Sequence, residues 1–121
     1  MPKDNFFFVR VKSMGYAFKG IVILLKTESS IKIQFFIAVL VTIGGFYYNI
    51  STTEWIVQIL AIGLIMTAEG INTAIEKTTD FIHPEHHPKI GFIKDISAGA
   101  VFIAAITAVA IGAIIYIPKI F

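Results

Sequence analysis

Three long apolar stretches constrain the fold of this chain more than any other feature of its sequence. They cover approximately residues 31–48, 55–82 and 94–117. A helix needs about 20 predominantly apolar residues to cross the hydrocarbon core of a bilayer. With 56% hydrophobic and 15% charged residues, the 121-residue chain is also more apolar than a typical soluble domain. The sequence therefore predicts an all-α integral membrane protein with a single domain, residues 1–121.

The segment ahead of the first span, residues 1–28, has the pattern of a helix that lies on the membrane surface. Lys12, Lys19 and Lys26 recur every seven residues on one side. Apolar side chains occupy another side: Met14, Phe18, Ile21, Val22 and Leu25. A lysine face beside an aromatic and aliphatic face is typical of an interfacial amphipathic helix.

Two further residue types predict where the spans begin and end. Ser29 or Ser30 is expected to cap the first span, because serine side chains accept hydrogen bonds from the first free N–H groups of a helix. Pro118 is expected to end the third span, since proline lacks the N–H that would continue the helix.

Basic residues are distributed asymmetrically around the spans. Five precede the first span and Lys32 lies at its start, three lie in or near the second connection, and none occurs in the first connection, residues 49–53. By the positive-inside rule, the N-terminus and the second connection face the cytoplasm. We therefore expect a multi-pass protein of the inner (cytoplasmic) cell membrane. The net charge of +2, without a basic cluster beside stacking aromatic residues, argues against nucleic-acid binding.

Four polar residues at the end of the second span fall on one helical face. This acidic stripe consists of Glu69, Asn72, Glu76 and Asp80. At about 100° per residue, its members lie within an arc of roughly 80°. Carboxylates are costly in a membrane segment, so they indicate a functional site. Counted from Trp55, Glu69 lies about 8 Å inside the bilayer boundary, whereas Glu76 and Asp80 reach the cytosol.

A second face of the same helix carries small residues. This small-residue stripe consists of Gly63, Thr67, Gly70 and Ala74. Small side chains allow helices in membranes to approach each other closely. We therefore expect this face to pack tightly against another helix.

The charged residue types suit phosphoryl transfer. Glu28 and Glu76 fall at the same level of the membrane, and Mg²⁺ prefers one or two carboxylates when it also binds substrate phosphates. Lys94 and Asp95 fall at that level too, and a lysine there can bind phosphate oxygens. Glu69, partly removed from water, suits a general base that takes a proton from an alcohol. The sequence contains no Walker A pattern, which excludes a P-loop enzyme.

Other interpretations of these residues stay open at this point. The acidic stripe can also form the relay of a small proton- or ion-coupled transporter subunit, although the other two spans carry few polar residues. Asn72 and Glu76 can instead serve as structural hydrogen bonds between helices. The three histidines of residues 83–88 are of the type that binds transition metals. Two prolines in the same segment, however, interrupt the helical spacing of these side chains.

A longer pattern carries a resemblance to a known family. Residues 69–80 read E-x-x-N-T-A-I-E-x-x-x-D, residues 84–88 read P-E-x-H-P, and residues 94–101 read K-D-x-S-A-G-A-V. Together with G-Y-A-F-K-G at residues 15–20 and with Glu28, these patterns extend over nearly the whole chain. The chain thereby resembles the prokaryotic diacylglycerol kinase family, which includes the undecaprenol kinases.

The resemblance implies a homotrimer of small membrane kinases whose active sites are shared between neighbouring chains. Such enzymes transfer the γ-phosphate of MgATP to the hydroxyl of a lipid alcohol, here undecaprenol or diacylglycerol, and the pattern looks nearer to the undecaprenol kinases. By position, Glu69 would be the catalytic base, and Glu28 and Glu76 would hold Mg²⁺. The residues expected to bind the nucleotide are Tyr16, Asn72, Glu76, Glu85, His86, His87, Lys94 and Asp95.

Overall fold

The computed structural model describes residues 5–121, which form four helices. They are α1 (Phe6–Thr27), α2 (Ser29–Tyr47), α3 (Thr52–Ile82) and α4 (Pro88–Ile120). Helices α2, α3 and α4 are each long and apolar enough to cross a membrane, which confirms the predicted all-α membrane fold. The predicted surface helix began at residue 1, and residues 1–4 lie outside the described residues. Its described part is α1, whose position on the membrane surface stays a prediction.

A single residue, Glu28, separates α1 from α2. Its backbone is extended, its N–H donates to the Leu24 carbonyl at 3.1 Å, and its carbonyl accepts the Lys32 N–H at 3.1 Å. Ser29 is already the first residue of α2, so the prediction that Ser29 or Ser30 caps this helix is wrong. The cap position falls on Glu28 because the chain bends there. Within residues 5–121, the Glu28 side chain makes no hydrogen bond to the start of α2. Its carboxylate can therefore face α3.

A tight turn joins α2 to α3. Asn49 adopts the left-handed backbone conformation (φ 53°). Ser51 then caps α3 reciprocally with Glu54: Ser51 Oγ accepts the Glu54 N–H at 3.2 Å, and the Ser51 N–H donates to Glu54 Oε1 at 2.9 Å. Gly45 approaches the Trp55 indole so closely that a Cβ at position 45 would lie 2.6 Å from the ring. This contact sets α2 against α3 at the end opposite to the acidic stripe.

Helix α4 begins earlier than predicted, at Pro88 rather than near Lys94. Proline suits the first helical position, because its missing N–H needs no partner there. His87 caps the helix, since its Nδ1 accepts the Lys89 N–H at 3.1 Å. Lys94 and its neighbour Asp95 therefore lie in the second turn of α4 and not at its start.

The predicted end of α4 is also wrong, because the helix passes through Pro118 and continues to Ile120. A proline in the last turn leaves only one backbone hydrogen bond unmade, so the helix tolerates it there. The extension keeps Lys119 on the helix, where its Nζ lies 2.6 Å from Glu54 Oε2 of α3.

Helix α3 is the centre of the bundle, since α4 and α2 both pack on it and α1 packs on α2. Among the described residues, the buried apolar side chains are Ile31, Ile50, Ala61, Ala104 and Ile115. Most larger apolar side chains face outward, as expected of helices surrounded by lipid or by other membrane helices. The bundle thus presents apolar sides and a polar end where α3 leaves it.

Candidate active site

The acidic stripe lies along one face of α3 near its C-terminal end. Asn72 is 7% exposed, and its Nδ2 donates to Glu76 Oε1 at 2.9 Å. The Asn72 Oδ1 is buried and has no hydrogen-bond partner among residues 5–121. Glu69 is half-buried, whereas Glu76 and Asp80 are exposed. A buried amide thus orients one exposed carboxylate and leaves an oxygen acceptor beside it.

A second carboxylate reaches this end of the bundle from the junction of α1 and α2. Glu28 Oε1 lies 3.6 Å from Lys77 Nζ, and Lys77 follows Glu76 directly in the chain. The structure therefore brings Glu28 and Glu76 to the same end of α3. Lys77 was not among the predicted site residues. Its sequence position beside Glu76 is the one signal that points to it.

Helix α4 places a lysine beside the last member of the acidic stripe. Lys94 Nζ lies 2.5 Å from Asp80 Oδ1, a charge-assisted hydrogen bond. The Lys94 side chain is 37% exposed, and the neighbouring Asp95 is exposed. The ammonium group of Lys94 and the carboxylates of Asp80 and Asp95 are therefore accessible at the surface where the stripe ends.

Histidine side chains form hydrogen bonds and a ring contact in the connection between α3 and α4. The His83 Nδ1–H donates to the Glu85 carbonyl at 2.8 Å, and the rings of His83 and His87 meet edge to face with centroids 5.2 Å apart. Because His87 Nδ1 accepts the Lys89 N–H, a neutral His87 ring carries its proton on Nε2. Glu85 and His86 are exposed. Among the described residues 5–121, no three Asp, Glu or His side chains converge on a metal position.

Tyr16 is the predicted site residue that lies apart from the acidic stripe within one chain. It is 65% exposed on the N-terminal half of α1. It precedes Leu24 by about two helical turns. Leu24 is the α1 residue that approaches Gly70 of α3, since a Cβ at position 70 would lie 3.2 Å from Leu24 Cδ1. The C-terminal half of α1 thus faces α3, and the half with Tyr16 extends away from it.

A cavity of about 530 Å³ opens between α1, α2 and α3. The side chains that line this apolar groove are Ile21, Leu24, Leu25, Ile31, Phe35, Gly63, Met66, Thr67, Gly70 and Ile71. The prediction that the small-residue stripe packs tightly is therefore wrong for Gly63 and Thr67, whereas Gly70 does approach Leu24 of α1 closely. A Cβ at Gly63 would meet no atom within 4 Å. At these positions small side chains leave open space under α1, and Gly70 follows Glu69 directly.

Comparisons with known proteins show the family of this chain. Residues 15–116 match the family model described as prokaryotic diacylglycerol kinase. The undecaprenol kinase of Bacillus subtilis (strain 168) is 39% identical over 108 residues, which cover 89% of this chain and 88% of the relative. The diacylglycerol kinase of Escherichia coli (strain K12) is 29% identical over 99 residues, which cover 82% of this chain and 81% of the relative. That of Haemophilus influenzae is 30% identical over 94 residues, covering 78% and 80%.

The chain belongs to the prokaryotic diacylglycerol kinase family. It is an ATP-dependent lipid kinase with three helices that are long and apolar enough to cross a membrane. The family resemblance read from the sequence is thereby confirmed. The alternative of a proton- or ion-coupled transporter subunit finds no support in these relatives.

Proposed function

We propose that this kinase transfers the γ-phosphate of ATP to the hydroxyl of undecaprenol at the cytoplasmic leaflet. The acidic stripe is the observation that carries the proposal. It runs from the half-buried Glu69, whose neighbour Gly70 lines the apolar groove, to the exposed Glu76 and Asp80. One helix thus carries a half-buried carboxylate at the level of the groove and exposed carboxylates for a charged, water-soluble cosubstrate.

One observation supports undecaprenol over diacylglycerol as the acceptor. The undecaprenol kinase of Bacillus subtilis is 39% identical to this chain, against 29% for the diacylglycerol kinase of Escherichia coli.

Glu69 is proposed as the general base. Its carboxylate takes the proton of the lipid hydroxyl while the hydroxyl oxygen forms a bond to the γ-phosphorus. The bond between that phosphorus and the β–γ bridging oxygen breaks, and ADP leaves. The half-buried position of Glu69 suits this role, because Glu69 precedes Gly70 of the groove in the chain and lies on the same helix as the exposed Glu76. Such a base typically contributes about 10²–10⁴-fold to the rate.

The oxygen donors at the end of α3 fit Mg²⁺, and we assign Glu28 and Glu76 as its ligands. Both carboxylates lie at this end of the bundle. Mg²⁺ typically binds one or two protein carboxylates together with substrate phosphates. The Asn72 Oδ1, which has no hydrogen-bond partner among residues 5–121, adds a neutral oxygen ligand beside Glu76. When bound, Mg²⁺ neutralises charge on the transferred phosphate.

The other residues of the exposed end are proposed to bind ATP. The Lys94 ammonium suits phosphate oxygens, and His87 offers an Nε2–H donor. Glu85 and Asp95 suit the ribose hydroxyls or the adenine amino group, because carboxylates accept hydrogen bonds and repel phosphates. The residues that we propose to bind the nucleotide are Tyr16, Asn72, Glu76, Glu85, His86, His87, Lys94 and Asp95.

We further propose a homotrimer in the inner (cytoplasmic) cell membrane, with a cytoplasmic N-terminus and one domain over residues 1–121. The positions of the basic residues support this orientation. The outward-facing apolar side chains of α2 and α4 offer surfaces for neighbouring copies. The position of Tyr16 on α1, away from the acidic stripe of its own chain, supports a site that a second chain completes.

Transfer of labelled phosphate to lipid tests the proposal. Purified protein in mixed micelles, given ATP labelled at the γ-phosphate, is expected to label undecaprenol in preference to diacylglycerol. Glu69→Gln keeps the shape of the side chain and is expected to lower kcat by about 10²–10⁴-fold, while size-exclusion chromatography shows a folded oligomer. Near-normal transfer by this variant contradicts the role of Glu69. Preferential labelling of diacylglycerol contradicts the acceptor, and no labelling of either lipid contradicts the function.

A further inference from the structure

Two salt bridges connect α3 to α4, and one of them lies at the candidate active site. The inner salt bridge joins Asp80 Oδ1 to Lys94 Nζ at 2.5 Å. The outer salt bridge joins Glu54 Oε2 to Lys119 Nζ at 2.6 Å. Each pairs a carboxylate of α3 with a lysine of α4, but Glu54 lies in the first turn of α3 and Asp80 in its last turn. The two bridges are therefore chemically matched and differ in their location.

The exposure of the inner salt bridge indicates that it does little to hold the helices together. Its lysine and aspartate side chains are 37% and 58% exposed, whereas those of the outer salt bridge are 25% and 28% exposed. Exposed ion pairs contribute little stability, because water and salt screen them and ordering two side chains opposes them. The more protected outer bridge is the better candidate for a purely structural link. The inner bridge therefore matters through its effect on Lys94.

Asp80 restrains a lysine that is otherwise flexible. The Lys94 ammonium stands at the end of a four-carbon stem and carries three N–H donors. Asp80 accepts one of them, so the other two stay available for phosphate oxygens. Asp80 also lies one turn beyond Glu76 on the acidic stripe, which keeps the ammonium near the proposed metal and phosphate position. A group fixed before its ligand arrives loses less conformational freedom on binding.

We propose that Asp80 is a positioning residue, which holds the Lys94 ammonium where the triphosphate of ATP binds. The inference rests on the proposed function, because it takes Lys94 as a phosphate-binding residue. Asp80 does not bind the phosphates itself, since like charges repel. Its whole effect on phosphoryl transfer passes through Lys94.

Steady-state kinetics with ATP as the varied substrate test this role. Asp80→Asn keeps the side-chain shape and removes the charge, and it is expected to lower kcat/KM for ATP by about 10- to 100-fold because the ammonium is no longer fixed. Asp80→Glu retains a carboxylate and is expected to recover most of that loss. The matched control is Glu54→Gln at the outer salt bridge. It is expected to leave kcat and KM unchanged and to lower the Tm at least as much as Asp80→Asn does.

A double-mutant cycle separates positioning from a structural role. If Asp80 acts only through Lys94, then Asp80→Asn combined with Lys94→Met has the same kcat/KM as Lys94→Met alone. Where turnover is too slow to measure, the affinity for a fluorescent ATP analogue gives the second readout of the same cycle.

Three results overturn the inference: unchanged kinetics in Asp80→Asn, a further loss when Asp80→Asn is added to Lys94→Met, or a kinetic loss in Glu54→Gln equal to that in Asp80→Asn. Failure of the unmodified protein to phosphorylate any lipid overturns the proposed function instead. The two failures are therefore distinguishable.

Discussion

At the scale of residues, Asn72 links a buried position to exposed chemistry. Its Nδ2 holds Glu76 Oε1 at 2.9 Å, and its buried Oδ1 has no partner among residues 5–121. Leaving such an acceptor unsatisfied costs about 1–3 kcal/mol, so a ligand that completes it gains affinity at this position. Because the oxygen lies beside an exposed carboxylate, a cation is the ligand that best suits both groups. Asn72 therefore points to the same site as Glu76.

Removal of either proposed metal carboxylate is expected to raise the Mg²⁺ requirement. In Glu28→Ala and in Glu76→Ala, the Mg²⁺ concentration for half-maximal activity should rise by about 10- to 100-fold, because few protein groups share the cation. Titration of Mg²⁺ at a constant concentration of ATP measures it. Glu54→Ala, which removes a carboxylate from the opposite end of α3, is the control. An unchanged Mg²⁺ dependence in either site variant counts against that residue as a ligand.

At the scale of helices, close contacts at the turns decide how the elements meet. Gly45 of α2 lies against Trp55 of α3, where a Cβ would be 2.6 Å from the ring. In the same half of the bundle, the Tyr116 hydroxyl lies 2.5 Å from Gln58 Oε1 and 2.8 Å from the Val41 carbonyl. These contacts connect α2, α3 and α4 far from the acidic stripe. Stability and chemistry are thus carried by opposite ends of the same helices.

Gly45→Ala is expected to destabilise the bundle. The added methyl group would lie 2.6 Å from the Trp55 ring and 3.1 Å from Ile50 Cδ1, and overpacking of this kind costs about 1–3 kcal/mol. Gly44→Ala is the matched control, because a Cβ there would meet Tyr116 at 3.5 Å, an ordinary contact. Thermal unfolding in one detergent should give a lower Tm for Gly45→Ala than for Gly44→Ala. Equal Tm values would show that the Trp55 contact relaxes without cost.

At the scale of the whole molecule, the apolar groove exists only because three helices enclose it. Helix α1 supplies one wall, α2 the second, and the small-residue face of α3 the third. Gly70, which lines the groove, follows Glu69 directly in α3, so we propose that a lipid in the groove presents its hydroxyl to Glu69 at this level. The fold therefore separates the two substrates by side: lipid between the helices, nucleotide at their exposed end.

Filling the groove is expected to weaken lipid binding without affecting ATP. In Gly63→Leu the new side chain has space, since a Cβ there meets no atom within 4 Å, and it extends into the groove. The KM for undecaprenol should rise by about tenfold or more, because lost apolar contacts in a pocket typically cost that much. Gly99→Leu on α4, where a Cβ is equally unhindered, controls for the greater helix propensity of leucine. A comparable change in both variants, or a change in the KM for ATP alone, contradicts the assignment of the groove.

The sequence predicted the helices well and their ends poorly. The three spans follow from the length and apolar character of their segments, and the shared face of Glu69 and Glu76 follows from helical periodicity; both are present in the structure. Ser29 was expected to cap α2 and Pro118 to end α4, and both predictions are wrong, because each residue lies inside its helix. Capping and helix-breaking preferences amount to only one hydrogen bond each, and the surrounding chain outweighs them.

What the sequence determined by itself is local: which segments are apolar enough and long enough to cross a bilayer, and which polar residues share a face of one helix. Both properties depend on neighbours a few residues away, within a geometry that every α-helix has in common. Only the tertiary structure decided that Asp80 meets Lys94, that Glu28 meets Lys77, and that Gly63 and Thr67 line a groove rather than a tight helix contact. Those contacts depend on how separate helices rotate, cross and approach one another, and residues far apart in the chain set that arrangement.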